Sequence, residues 1–350
     1  MKVVIAPNAF KGSLTAAEAA NAIESGLIEA GITNLQIQKL PIADGGDGIV
    51  EVLKEAFNGS YISSSARDPL FRDITTEFCH LPSQNTAIIE MASASGLRLL
   101  KDEEKNPLNT STAGTGDLIK KALDLNIKKL LVGLGGSATN DGGCGMASAL
   151  GVVFKDREGN SFEPIGRNLG DICQIDMSGL DSRLAEIKIE AICDVSNPLL
   201  GDQGAAAVYA PQKGASMEDV EKLESGMKNL ADVIKKDLGI EVHTMASGGA
   251  AGGIGAGIHA FLSASLRPGA EIVLELIDIE RAIKDCDLVI TGEGQIDGQT
   301  AYGKAPAAVA SKAMKYNKPC IAFAGSRGSD STSLFSTGFT AIFSICPGPI

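Results

Sequence analysis

Three glycine-rich loops of this chain each carry at least one carboxylate. They are residues 44–48 (DGGDG), 135–143 (GGSATNDGG) and 291–298 (TGEGQIDG). Glycine allows the sharp turns that bring bare backbone N–H groups against a ligand, and such groups attract anions such as phosphate. A carboxylate in the same loop repels phosphate unless a cation lies between them. The loops therefore predict a site for a Mg²⁺–nucleotide, with phosphoryl transfer as the chemistry.

The acids of the first and third loops are candidate metal ligands. Asp44 and Asp47, three residues apart with glycines between them, can share one Mg²⁺ or orient a hydroxyl, although either could instead cap a helix. Glu293 and Asp297 form a second acidic group, followed by Lys304. We expect these acids to hold metal or nucleotide and Lys304 to meet a phosphate, with ordinary turn chemistry as the alternative.

Two further acids are candidates for proton transfer. Asp194 follows an apolar run at residues 187–193, a position suited to a general base for a substrate hydroxyl, although an Asx-turn before Pro198 is equally consistent. Asp141 is the second candidate for this role. Lys11, in the loop after the first apolar run, could reach a phosphate or a carboxylate.

Several residues are candidates for nucleotide contact. Gly135, Gly136 and Ser137 open the second loop, and Lys213 offers a cation in the segment YAPQKG. Residues 247–257 contain six glycines, among them Gly252 and Gly253, and could form an anion nest or allow two backbones to pack closely.

A rival pattern occupies residues 133–138. It matches the dinucleotide fingerprint G-x-G-x-x-A after an apolar run, and Asp156 follows at the expected distance. However, residues 140–143 interrupt the position where a helix should begin, and Asp141 would lie near a pyrophosphate. An NAD(P)-dependent oxidoreductase and a non-catalytic nucleotide or sugar-acid sensor stay open as alternatives.

Composition narrows the class of protein further. The formal net charge of −12 disfavours nucleic acid as a partner. Seven cysteines without a C-x-x-C pair are typical of a reducing compartment, and no apolar run reaches the length of a membrane span, so we expect a cytoplasmic enzyme without a membrane partner. The sequence contains no P-loop motif and predicts no oligomeric state.

The two ends of the chain predict one sheet. Short apolar runs, typical of strands buried on both faces, alternate with helical patterns. Strands are expected at 3–6, 35–40, 288–290, 320–325 and 341–346, and helices at 16–28 (capped by Ser13), 49–57 and 305–316. This order predicts an α/β fold with a doubly wound, five-stranded parallel sheet.

The middle of the chain predicts an inserted domain. A β-ribbon is expected at 74–81 and 86–91, strands at 129–132, 152–155 and 187–193, and helices at 115–125, 145–150 and 217–238. We place one domain at 1–66 plus 280–350 and an inserted α/β domain at 67–279, with the ligand in the cleft between them. The last strand has no helix after it, so we expect a chain truncated before that helix.

Taken together, the loops resemble the bacterial-type (type 1) glycerate kinase family. The matching segments run in order along the chain: APNAFKGSL (6–14), PIADGGDG (41–48), GLGGSATNDGG (133–143), CDVSNPL (193–199), PQKG (211–214), AAGGIG (250–255) and ITGEGQIDGQT (290–300), followed by Gly303 and Lys304. The chain departs from the family pattern at Asn8, Ala9 and Gln295.

The resemblance implies a flavodoxin-like domain with an inserted second domain. It also implies ATP-dependent phosphorylation of glycerate, with Mg²⁺ as cofactor. On this basis Lys11, Lys213 and Lys304 are expected to neutralise phosphate or the glycerate carboxylate. Asp44, Asp47 or Asp297 would hold Mg²⁺, and Asp194 or Asp141 would deprotonate the hydroxyl.

Overall fold

The computed structural model describes residues 1–44, 48–301, 304–328 and 331–346. The chain divides into two compact units. Unit 1 comprises residues 1–58 and 268–350, and unit 2 comprises residues 59–267. The sequence predicts boundaries after residues 66 and 279, whereas the structure has them after residues 58 and 267.

The described residues form short strands and helices throughout. The strands are β1 Lys2–Pro7, β2 Gln36–Lys39, β3 Ser60–Arg67, β4 Asp73–Leu81, β5 Thr86–Glu90, β6 Lys129–Gly133, β7 Val153–Lys155, β8 Ser161–Phe162, β9 Gln174–Asp176, β10 Lys188–Ile192, β11 Ser265–Arg267, β12 Leu288–Ile296, β13 Cys320–Arg327 and β14 Ala341–Ser344. The α-helices are α1 Ala16–Glu29, α2 Ile49–Ala56, α3 Ala92–Ser95, α4 Ala113–Leu123, α5 Cys144–Ala149, α6 Ala205–Tyr209, α7 Met217–Leu238, α8 Ala250–Leu262, α9 Gly269–Leu276, α10 Ile279–Asp285 and α11 Ala305–Lys315. Short 3-10 helices lie at Pro82–Gln84, Leu97–Leu99, Asp102–Glu104, Gly166–Asp171, Ser182–Glu186, Pro211–Lys213, Gly298–Ala301 and Ser331–Thr337.

Unit 1 is built on one parallel sheet. In the described part of the chain it has five strands in the order β14-β13-β12-β1-β2, and every neighbouring pair is parallel. Numbered by their order within this unit the strands run 2-1-3-4-5, the flavodoxin-like arrangement. Central strand β1 is buried from Val3 to Pro7, because helices cover both faces of such a sheet. The predicted five-stranded, doubly wound parallel sheet is confirmed.

Two local predictions for unit 1 are wrong. Helix α1 is capped by Thr15 and not by Ser13: the Thr15 hydroxyl accepts a hydrogen bond from Glu18 N, and the Glu18 carboxylate accepts one from Thr15 N. This reciprocal capping box satisfies two donors at the helix start. Strand β12 continues to Ile296, so most of the predicted TGEGQIDG loop is strand. Gly292 allows this part of β12 to lie close to β13, because a Cβ added at this position would be 2.2 Å from Phe323 O.

Unit 2 contains a mixed sheet. Its six strands lie in the order β11-β10-β6-β5-β4-β3, counted over the described residues. The first four are parallel, whereas β4 and β3 continue the sheet antiparallel. The predicted β-ribbon is therefore the β4–β5 pair, extended by β3 on one side and β6 on the other. Strands β8, β7 and β9 form a separate small sheet.

The apolar core of unit 2 explains how its helices are held. Phe154 of β7 and Phe261 of α8 meet edge to face, with ring centroids 5.7 Å apart, and both are buried. Burial of each such side chain contributes roughly 1.5–3 kcal/mol. Helix α7 spans the predicted residues and packs Leu223, Met227 and Leu230 inward.

The helices in the described part of the chain include no candidate for a membrane span.

Candidate active site

Asp44 ties together three elements at the carboxyl edge of the unit 1 sheet. Its Oδ2 accepts a hydrogen bond from Asn8 Nδ2 at 2.8 Å, and its Oδ1 accepts one from Ala305 N at 2.5 Å. Asn8 directly follows β1, and Ala305 is the first residue of α11. Asp44 therefore lies where open α/β sheets bind ligands, beside the N-terminus of a helix.

Glu293 is a buried acid of this edge, and its pKa is raised. Its side chain, on β12, is 6% exposed and accepts a hydrogen bond from Thr300 Oγ1 at 2.9 Å, while Lys304 Nζ lies 3.8 Å from its Oε2. Burial, with smaller contributions from the charges of Asp44 and Asp297, raises the pKa of Glu293 to about 7 against the opposing effects of Lys304 and Thr300. Two carboxylates and one lysine thus act on Glu293 at this edge.

Asp297 completes the acidic group, which we name the unit 1 acid cluster: Asp44, Glu293 and Asp297. Asp297 Oδ2 accepts a hydrogen bond from Gln295 Nε2 at 2.9 Å, and Asp297 N donates to Thr300 Oγ1 at 3.2 Å. Over residues 1–44, 48–301, 304–328 and 331–346, no group of three or more His, Cys, Asp or Glu side chains has the geometry of a metal site. Asp47 lies outside the described residues.

Lys11 belongs to an exposed turn after β1. This turn packs closely on β12, because a Cβ added to Gly294 would lie 3.4 Å from Lys11 N and 3.5 Å from Phe10 Cα. The backbone of Lys11 is therefore positioned beside the strand that carries Glu293, with its side chain in solvent.

Asp141 is entirely buried in unit 2. Its Oδ2 accepts hydrogen bonds from Thr112 N and Thr112 Oγ1, both at 2.8 Å, and from Gly145 N at 3.2 Å. Its Oδ1 accepts one from Gly143 N at 3.1 Å. Burial raises the pKa of this carboxyl, and the hydrogen bonds counter that rise. This position favours a structural role, in which Asp141 fixes the turn before α5.

Lys213 is also buried, with 2% of its surface exposed. Its Nζ donates to Ser137 Oγ at 2.7 Å and to the Thr139 carbonyl at 2.6 Å. Burial lowers the pKa of Lys213 to about 7, and the negative charge of Asp141 opposes that fall. The ammonium is therefore held behind the 135–143 loop and does not lie on the surface.

Gly252 and Gly253 provide close packing. An added Cβ on Gly252 would lie 1.9 Å from Thr139 O, and one on Gly253 would lie 3.0 Å from Gly142 Cα. Gly252 O accepts a hydrogen bond from Gly142 N at 3.1 Å. Both glycines have positive φ, +80° and +89°. Of the two expectations for this segment, close backbone packing against the 135–143 loop is the one these distances describe.

The exposed groups of unit 2 follow two adjacent strands. Gly135 and Gly136 are exposed after β6, and Asp194 is exposed after β10, which pairs with β6 in parallel. The segment that carries Asp194 is held by Asn197, whose O accepts from Gly249 N at 3.0 Å and whose Oδ1 accepts from Tyr209 Oη at 2.8 Å. Parallel strands end at the same edge, so these groups share that edge.

Sequence reasoning missed three polar contributors. Asn8, which received no role, holds Asp44. Thr300 binds Glu293 from the end of the third loop. Asn197 anchors the Asp194 segment. Asn8 and Asn197 each follow a strand end, which is a usable signal, whereas nothing in the sequence distinguishes Thr300 from an ordinary turn residue.

Carboxylates, lysines and glycine loops at the carboxyl edges of parallel sheets suit an α/β phosphotransferase. Comparison with known proteins specifies the family. The model of the glycerate kinase family matches residues 3–350. "Glycerate kinase" of Bacillus subtilis (strain 168) is 46% identical over 350 residues, covering 100% of this chain and 91% of that protein. "Glycerate 2-kinase" of Escherichia coli (strain K12) is 45% identical over 345 residues, covering 99% and 90%.

The fold is also found in a solved structure. A crystal structure assigned to glycerate kinase 2 from Salmonella typhimurium LT2 superimposes with a TM-score of 0.90 at 45% identity, covering 99% of this chain and 92% of that one. The chain belongs to the glycerate kinase family, and it is a kinase. The predicted family and fold class are confirmed.

The local structure also argues against the rival dinucleotide-binding pattern at residues 133–138. Helix α5 begins only at Cys144, so this loop does not lead directly into a helix as a dinucleotide loop does.

Proposed function

We propose that this kinase transfers the γ-phosphoryl group of ATP to a hydroxyl of glycerate. The observation that carries the proposal is the unit 1 acid cluster with Lys304, at the carboxyl edge of a flavodoxin-like sheet. Phosphoryl transfer requires positioned charges more than covalent chemistry, and this edge provides both signs of charge beside a helix N-terminus. The names of the relatives support glycerate as the acceptor.

Mg²⁺ is proposed as the cofactor, bound through Asp44 and Asp297. Their carboxylate oxygens are the hard ligands that Mg²⁺ prefers, and Mg²⁺ typically takes only one or two carboxylates and completes its shell with waters and substrate phosphates. The described acids suit that partial ligand set. When bound, the ion would neutralise phosphate charge. Asp47 stays a predicted ligand.

The lysines and glycines are proposed to bind the anionic groups. Lys11 and Lys304 are placed on unit 1, where an exposed and a half-buried ammonium can reach phosphate or carboxylate oxygens. On unit 2, Gly135 and Gly136 are exposed, and their backbone N–H groups are the proposed phosphate donors. The expectation that the substrates lie in a cleft between two domains stays a prediction.

Asp194 is the proposed base for the acceptor hydroxyl. It is exposed after the end of β10, whereas Asp141 is entirely buried. Deprotonation as the phosphoryl group transfers is a typical role for such an acid. The relative from Escherichia coli is named a 2-kinase, so we propose the 2-hydroxyl as the acceptor.

The test is release of ADP from ATP and Mg²⁺ with glycerate, lactate, glycolate or glycerol as acceptor, followed by identification of the product. We expect release with glycerate and 2-phosphoglycerate as product. Formation of 3-phosphoglycerate would move the acceptor to the 3-hydroxyl. Release with another acceptor and none with glycerate would refute the substrate. Oxidation of glycerate with NAD(P)⁺ and no ADP release would favour an oxidoreductase.

A cytoplasmic location is also proposed. It is supported by the seven cysteines, all of which are free thiols in the structure, and five of which are buried. Fractionation of cells that express the natural gene, with detection of this protein, tests it.

A further inference from the structure

The charge of Lys213 is buried without a carboxylate at contact distance. Among the described residues, none places a carboxylate oxygen within 4.0 Å of its Nζ, and Asp141 acts on it only from further away. A buried ammonium costs several kcal/mol of desolvation, which makes such a lysine rare unless it is paired. Fixing a turn would not require this cost, since a neutral donor could bind the Thr139 carbonyl equally well.

The hydrogen bond to Ser137 has a fixed direction. A lysine ammonium has three N–H donors and no acceptor, so Ser137 Oγ accepts the 2.7 Å bond from Lys213. The hydroxyl proton of Ser137 must then point away from Lys213. In the described part of the chain no residue accepts it.

Ser137 lies directly after exposed backbone. Two backbone hydrogen bonds flank Ser137 and fix its position. Leu97 N donates to Gly136 O, and Ala138 N donates to Ser95 O. Gly135 and Gly136, directly before it, are exposed, and Ser137 itself is 6% exposed while Lys213 is 2% exposed. The ammonium therefore belongs to a fully buried residue, the hydroxyl that accepts from it belongs to a slightly more exposed one, and the backbone directly before that hydroxyl is exposed.

We propose that Lys213 is a positioning residue, which turns the Ser137 hydroxyl proton outward so that Ser137 donates a hydrogen bond to an anionic oxygen of the substrate at Gly135 and Gly136. The inference rests on the proposed function. An ammonium behind the hydroxyl polarises its O–H bond, so the outward hydrogen bond is stronger than that of an ordinary serine. The anionic oxygen belongs to an ATP phosphate or to the glycerate carboxylate.

The test is a double-mutant cycle with Ser137→Ala and Lys213→Met. We measure kcat and KM for ATP at saturating glycerate, and for glycerate at saturating ATP. Loss of one hydrogen bond to a charged group lowers kcat/KM about tenfold. We expect this loss for one substrate in each single variant, and that substrate is the one whose anion Ser137 meets. The double variant should be no worse than Ser137→Ala, because Lys213 acts through Ser137.

The controls separate this role from general damage. Ser137→Thr keeps a hydroxyl and should retain activity better than Ser137→Ala, whereas Ser225→Ala, on the exposed face of α7, should match the wild type. A double variant reduced about a hundredfold would mean that Lys213 acts independently. An unchanged kcat/KM for both substrates in Ser137→Ala would also overturn the proposal. Absence of ADP release with glycerate in the wild type would instead refute the proposed function.

Should Lys213→Met fail to fold, the pH dependence of Ser137→Ala decides. A neutral Lys213 amine can accept the Ser137 proton and so turn it inward. The advantage of the wild type over Ser137→Ala should then decline as pH rises from 6 to 9. Asp141, the other ionisable group that acts on Lys213, is present in both proteins and cancels in the ratio. A ratio that stays constant would overturn the proposal.

Discussion

The pKa of Glu293 makes the stability of unit 1 depend on pH. The carboxyl ionises at about 7 in the folded protein, compared with 4.5 for a solvated glutamate. At 1.36 kcal/mol per pKa unit, this difference disfavours the charged folded state by about 3 kcal/mol. Because the folded state binds the Glu293 proton more tightly than the unfolded chain does, protonation of Glu293 stabilises the folded state. This stabilisation is complete below pH 4.5 and is lost as pH rises through 7. About 2.5 kcal/mol of it falls between pH 5 and 8.

Glu293→Gln isolates this contribution. The amide has the shape of the protonated carboxyl and can still accept the Thr300 hydrogen bond, but it does not titrate. Relative to the variant, the wild type should lose about 2.5 kcal/mol of unfolding free energy between pH 5 and 8. Glu29→Gln, an exposed residue of α1, is the matched control and should show no such change.

The assay is urea unfolding followed by circular dichroism at several pH values, in buffer with a chelator. Amide hydrogen exchange of β12 is measured alongside, because the two units can unfold in separate steps and β12 reports on unit 1. A difference between wild type and Glu293→Gln that is constant within about 0.5 kcal/mol would refute desolvation of this carboxyl. A difference of opposite sign would mean that Lys304 outweighs burial.

Three further predictions concern unit 2. Asp141→Asn should cost about 3 kcal/mol of stability, because its amide NH₂ would face the backbone donors that the carboxylate accepts from. Asp194→Asn, at an exposed position, should lower the urea midpoint less than Asp141→Asn does and should lower kcat about 10²–10³-fold. A midpoint that falls as far in Asp194→Asn as in Asp141→Asn, or an unchanged kcat in Asp194→Asn, would contradict this division. Gly252→Ala should lower unfolding free energy by more than about 2 kcal/mol in urea titration, because its Cβ would overlap Thr139 O, whereas Gly170→Ala, where the space is open, should not. Lys213 releases its proton near pH 7 in the folded state but only near pH 10.5 in the unfolded chain. The unfolding free energy of the wild type should therefore rise by about 2 kcal/mol relative to Lys213→Met between pH 7 and 9. A difference that does not depend on pH would show that Lys213 is an ordinary, solvated lysine.

Patterns of neighbouring residues predict much of the secondary structure and the fold class. The apolar run at the start of β1 is uninterrupted because both faces of that strand are covered, and the 22-residue amphipathic pattern of α7 predicts both of its ends. The capping error at α1 is of the same local kind: Thr15 followed by Glu18 is a capping box, and its signature is present in the sequence.

The roles of the charged residues were less predictable, since burial depends on distant parts of the chain. Lys213 resembles any loop lysine in the sequence, and only a loop 76 residues away turns it into a buried donor. Glu293 was expected in a loop, but the extension of β12 beside β13 places it in the sheet and desolvates it.

The sequence by itself determined the family, the alternation of strands and helices, and the acids and lysines available for catalysis, because these depend on residue types and short-range periodicity. Only the tertiary structure decided which of those groups are exposed and which are buried. Asp44 and Ala305 are 261 residues apart along the chain yet share a hydrogen bond. The protonation and reach of a side chain are set by such neighbours, which pack against it from far along the chain.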